Sequence, residues 1–166
     1  MDVLKLILKI KQGMVKTLEV VVMIVTAVLV LDVIWQVFTR YVLRDPSIWT
    51  EELATMLLMW VSLLGACVAF NRKGHLGVDY FVGKLSVTNK VAVELLAHLI
   101  VAFFAVILIY GGCKIVSFTL LTNQLSAALE IKMGYVYLVL PISGLFILAV
   151  AIETAIEKAN TLLTSK

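Results

Sequence analysis

The chain is short of charge. Of its 166 residues, 15% are Asp, Glu, Lys or Arg and 62% are hydrophobic. A soluble domain usually carries about a quarter charged residues. One small core cannot bury this apolar excess, so a soluble helical bundle fits poorly and lipid is the natural solvent. Cysteine is also scarce. Cys67 and Cys113 both lie in apolar runs with no CxxC or metal spacing, which favours two reduced packing thiols over a metal site or disulfide. The net charge of +3 comes without a basic stripe interleaved with aromatics, which excludes a nucleic-acid surface. There is no phosphate-binding loop, GxGxxG, nucleophile elbow or haem-like His pair, so neither an enzyme nor a cofactor is expected.

What the chain does have is four long apolar segments. They run over 18–42, 49–70, 91–112 and 134–156. Each exceeds the roughly 20 residues that cross ~30 Å of hydrocarbon as a helix. They are apolar on every face, whereas the strands of a barrel would alternate with period two. The expected fold is an all-α integral membrane protein of four spans in one membrane domain over 1–166.

The connections are short and polar. Between the first two spans lies Arg44-Asp45-Pro46-Ser47. Asp45 suits a helix cap, Pro46 a first turn, and Glu51 and Glu52 the positive end of the second helix. Before the first span, Lys5, Lys9, Gln12 and Lys16 share one helical face, opposite Leu4, Ile7, Leu8, Ile10 and Met14. That pattern predicts an amphipathic helix over 1–16 lying in the membrane interface; a plain extension of the first span is the alternative. No small-residue cleavage site follows, so no removable signal peptide is expected.

Lys and Arg set the orientation. The N-terminal segment, the connection around residues 72–90 and the C-terminal tail together hold ten of them; the other side holds Arg40, Arg44, Lys114 and Lys132. The positive-inside rule then puts both termini in the cytoplasm and gathers Arg40, Arg44, Glu51, Glu52 and Lys114 at the outer rim. Neutralisation of charge explains that rim most simply; docking of a partner is the sharper reading.

Several residues stand out along the spans. Asp32 falls inside the first, where a carboxylate is costly unless paired, hydrated or protonated. It reads as a polar anchor to another helix or as an ion site. Glu94 and His98 are spaced i, i+4 and read as a hydrogen-bonded pair or a proton relay. Ser62, Gly65, Ala66 and Ala69 give small-xxx-small pairs that let helices approach closely. Trp49 suits an interface belt, while Trp60 sits near mid-helix and reads as packing. Pro141 and Gly144 predict a kink or close contact, with a freed carbonyl that needs a neighbour. His75 and Asp79 of HLGVD share a helical face, but two ligands do not make a zinc site. They read as part of a structural segment at the cytoplasmic surface.

The stretch FTRYVLRDPSIWTEELATMLLMWVSLLGACVAFNRKGHLGVDYF resembles the small membrane subunit of tripartite ATP-independent periplasmic (TRAP) transporters. The residues that carry the resemblance are Arg40, Trp49, Glu51, Glu52, Trp60, Gly65, Ala66, Arg72, His75 and Asp79. The fourth span, introduced by SAALEIKMGYVYLVLPISG, is similar to that family's last helix. The resemblance implies a scaffold in the bacterial inner membrane, paired with a large elevator-type membrane subunit. It implies sodium-driven uptake of an organic acid delivered by a periplasmic binding protein. It implies no substrate or sodium site in this chain. The family motif residues become candidates for the partner interface. Two rivals remain: a self-sufficient dual-topology transporter built on Asp32, which the uneven Lys and Arg count opposes, and an accessory subunit of a channel or energy-coupling system.

Overall fold

The computed structural model describes residues 2–72 and 87–164. Its elements are α1 (Asp2–Phe38), a π-helical turn (Thr39–Leu43), α2 (Ile48–Asn71), α3 (Val87–Leu121), the short α4 (Met133–Tyr137) and α5 (Val139–Thr164). Among the described residues four segments are long and apolar enough to cross a membrane: Gly13–Leu43, Ile48–Asn71, Leu96–Leu121 and Met133–Thr154. The chain is a multi-pass helical membrane protein.

The spans stand in a row. α1 packs on α2, α2 on α5, and α5 most extensively on α3. An interior position belongs to α5, and 39% of its span is buried, against 6% for that of α1. The α3–α5 contact is close because two glycines allow it. A Cβ on Gly144 would meet Ile109 Cγ1 at 2.8 Å and the Ala105 carbonyl oxygen at 3.1 Å. A Cβ on Gly112 would meet Pro141 Cδ at 2.8 Å. Cys67, Ala105 and Ile147 form the buried centre where α2, α3 and α5 meet.

Several boundaries differ from those expected. α1 runs from Asp2 to Phe38 as one helix, so the N-terminal segment and the first span share one element. The cap of α2 is Ser47, not Asp45, and Pro46 precedes the helix. α1 ends in a π turn because Arg44 takes a left-handed conformation (φ 57°), and its N–H donates to the Thr39 carbonyl.

The third span was expected to stop at Gly112. It continues to Leu121, since Gly112 is a packing residue rather than a stop. Lys114 therefore has seven more helical residues beyond it, within a segment long and apolar enough to cross a membrane. The fourth span is broken at Leu138, as Pro141 foretells. Leu138 N–H bonds back to Tyr135, three residues before it, and the helix restarts at Val139.

Candidate functional site

Of the residues that carry the family resemblance, Arg40, Trp49, Glu51 and Glu52 lie at the first end of α2, Trp60, Gly65 and Ala66 along it, and Arg72 at its other end. At the first end, Trp49 and Glu51 are exposed on the opening turn. Arg40 and Arg44 are exposed on the preceding π turn and its cap. Glu51 sits where the helix dipole favours a carboxylate.

Glu52 does something the sequence did not suggest. Its Oε1 accepts the Ala127 N–H at 3.0 Å, and its Oε2 accepts the N–H groups of Ala128 at 2.7 Å and Leu129 at 3.0 Å. One carboxylate thus holds three backbone donors of the α3–α4 connection. Hydrogen bonds to an ionised acceptor are the stronger kind. The connection is itself a narrow loop. Ser126 N–H donates to Ile131 O and Met133 N–H to Gln124 O, both at 2.9 Å. Glu130 turns it with φ 54°. Beside the clamp lies a shallow groove of about 370 Å³, lined mainly by Ile48, Glu51, Thr55, Met56 and Met133.

Trp60 is a packing residue with a polar task. Its Nε1–H donates to the Val136 carbonyl at 3.1 Å, at the break between α4 and α5. That carbonyl adjoins the Tyr137 carbonyl, the one four residues before Pro141 that the missing proline N–H leaves without a helical donor. Trp60→Phe keeps the ring and loses the bond. It should cost the isolated subunit about 1 kcal/mol, read as a lower melting temperature in detergent. An unchanged melting temperature would show that the bond contributes nothing.

At the other end of α2, Arg72 pairs with Glu19 of α1. Arg72 Nη2 and Nε donate to Glu19 Oε1 at 2.8 and 3.1 Å. Arg72 is 67% exposed, so the pair fixes the hairpin's geometry more than its stability. Glu19 was not singled out from the sequence; an acid of α1 at the level of Arg72 was the available signal. His75 and Asp79 lie outside the described residues.

Asp32 is 7% exposed, on the face of α1 turned to α2. Neither carboxylate oxygen has a hydrogen-bond partner among the described residues. Leu at this position removes two buried oxygens that no described residue satisfies. Asp32→Leu should therefore stabilise the isolated subunit, by about 1–3 kcal/mol. A lower melting temperature would show that the carboxyl has a partner.

His98 is buried, with its ring 6.2 Å from that of Phe70. The side chain of Glu94, the other member of the i, i+4 pair, lies outside those described.

The small residues of α2 do not make the helix contact expected of them within this chain. Ser62, Ala66 and Ala69 are exposed, and a Cβ on Gly65 would meet nothing within 4 Å. The close approach is made instead by Gly112 and Gly144, in α3 and α5. Among the described residues no three His, Cys, Asp or Glu gather as metal ligands.

Comparison with known proteins gives this geometry a family. Residues 29–161 match the DctQ component of the tripartite ATP-independent periplasmic transporters. A putative TRAP transporter small permease protein of Haemophilus influenzae is 26% identical over 86% of this chain and 87% of its own length. The sialic acid TRAP transporter small permease protein SiaQ of Vibrio cholerae is 39% identical over 40% of this chain, a match that spans 39% of the relative. The isethionate TRAP transporter permease protein DctMQ of Oleidesulfovibrio alaskensis is 27% identical over 58% of this chain, which is 15% of that longer protein.

Proposed function

Because this chain belongs to the DctQ component family of tripartite ATP-independent periplasmic transporters, we propose that it is the scaffold half of a two-part permease. Its partner is a large, elevator-type membrane subunit. The observation that carries this reading is the family match along most of the chain. The longer permease of Oleidesulfovibrio alaskensis supports it, since a segment similar to this chain is there one part of a larger polypeptide. In the bacterial inner membrane, the complex takes up an organic acid from a periplasmic binding protein and is driven by sodium. Relatives named for sialic acid and isethionate fit an anionic organic substrate.

The row of spans suits a scaffold. It offers broad faces to a partner and to lipid. Both termini lie in the cytoplasm, and the lysines of the first helix stand where α1 leaves the bilayer and meets headgroups. The end with Arg40, Arg44, Trp49, Glu51 and the Glu52 clamp then faces the periplasm. It forms a rim for the large subunit and the binding protein. His75 and Asp79 belong to the cytoplasmic side of the same interface.

Copurification tests the pairing. The tagged chain, coexpressed with the large permease subunit of its own transporter, should retain that subunit through detergent extraction and size exclusion. Recovery of the tagged chain alone would count against the pairing.

A second reading, a small transporter built on Asp32, draws on its buried carboxyl, which has no hydrogen-bond partner among the described residues. Transport by the chain alone would favour it.

A further inference from the structure

Lys114 stands in an unusual place. It lies on α3, seven residues before the helix ends at Leu121, or about 10 Å at 1.5 Å per residue. A second route puts it deeper. Gly112 lies against Leu140 and Pro141, and Gly134 lies against Leu120. Lys114 is therefore near the level of Leu138, two residues from the carbonyl that Trp60 binds. Trp60 is itself eleven residues, or about 16 Å, along α2 from Trp49.

The side chain is exposed. It points away from the bundle, since Gly112 and Val116, two residues to either side, face inward. Among the described residues Lys114 is in no ion pair. An ammonium facing hydrocarbon at this depth is expensive, and charges in spans almost always face protein or water.

Snorkelling is a poor remedy here. Side chains on a helix lean towards its N-terminus. On α3 that is away from the nearer surface, which lies past Leu121.

The surroundings of Lys114 form a docking face rather than a lipid face. Gly111 is exposed with nothing near its Cα that a Cβ would meet. It leaves a notch between Lys114 and Tyr110, which is 72% exposed. Ser117 and Phe118 complete the patch one turn on, both exposed. A notch, two aromatic flanks and an uncompensated cation fit a helix that carries an acid.

Resting on the reading of this chain as half of a two-part permease, we propose that the Lys114 face of α3 is where the large subunit docks. The occupant is a membrane helix of that subunit with a carboxylate opposite Lys114. The interface is then held by an ion pair inside the membrane, at a depth where water does not weaken it.

The test is a crosslinking map in membranes that hold both subunits. A photoreactive phenylalanine analogue replaces Tyr110 or Phe118 on α3, and Ile24 or Leu31 on the outward face of α1. Crosslinks to the large subunit are expected from the α3 positions. Crosslinks from the α1 positions alone overturn the proposal. So does capture of phospholipid only at Tyr110 and Phe118 in a complex that copurifies. Lys114→Glu should lower recovery of the large subunit by about tenfold or more, while Lys114→Arg keeps it. Undiminished recovery with Lys114→Glu also overturns it. Circular dichroism of the isolated variant excludes misfolding as the cause. If even the unmodified chain fails to retain the large subunit, the two-part reading fails, and this proposal fails with it.

Discussion

Gly144→Leu is expected to separate α3 from α5 and cost the isolated subunit about 1–3 kcal/mol or more. The Cβ alone would come within 3.1 Å of two backbone atoms, the Ala105 carbonyl oxygen and the Ile109 nitrogen. A side-chain tip could swing aside; a helix backbone cannot. The reporter is close at hand. Cys67 is fully buried, and its Sγ lies 3.5 Å from the Ser143 carbonyl, beside the mutated position. In a Cys113→Ser background, labelling of Cys67 by a thiol-reactive dye should begin at a lower temperature in Gly144→Leu. Gly65→Leu is the contrast. Space is open there, so the isolated subunit should melt as before. If the open face of α2 also meets the large subunit, Gly65→Leu should instead weaken copurification. An equal loss of stability in both variants would show that the close contact is not specific to α3 and α5.

Glu52→Gln is expected to release the α3–α4 loop. The carboxylate accepts from three N–H groups, and it does so with both oxygens. An amide offers one oxygen and turns two donors towards the other N–H groups. Hydrogen exchange should therefore quicken at the amides of Ala127, Ala128 and Leu129, while the α3–α5 helices keep their protection. Trypsin should cut after Lys132 faster than in the unmodified chain. Glu51→Gln is the control, since Glu51 belongs to the same turn and makes no bond to these amides. Unchanged exchange in Glu52→Gln would mean that the loop's own backbone bonds hold it.

The four spans were legible because each is a long apolar run, and in lipid only a helix satisfies such a backbone. What composition could not give was the use of single residues. Gly111-Gly112 followed by Cys113-Lys114 reads like a helix end. Gly112 is instead the notch into which Pro141 fits, a contact with a residue on another helix. Glu52 reads as a carboxylate at a helix N-terminus, which it is. Its partners are 75 to 77 residues away in a loop of small side chains, a pairing that only the folded chain creates. Trp60 signalled packing alone, and its bond to the Val136 carbonyl became visible only with the break between α4 and α5 in place. The small residues of α2 show the converse. Their spacing promised a helix contact, and within this chain none is made. Where a local rule fails without a reason inside the subunit, as at Lys114, the reason is sought in what the subunit binds.

Uptake in proteoliposomes tests the central claim most directly. The chain is reconstituted alone and with the large permease subunit of its own transporter, with the cognate binding protein and an inward sodium gradient. A scaffold subunit predicts no uptake alone and sodium-dependent uptake from the pair. Uptake by this chain alone would contradict it and make Asp32 the residue to follow.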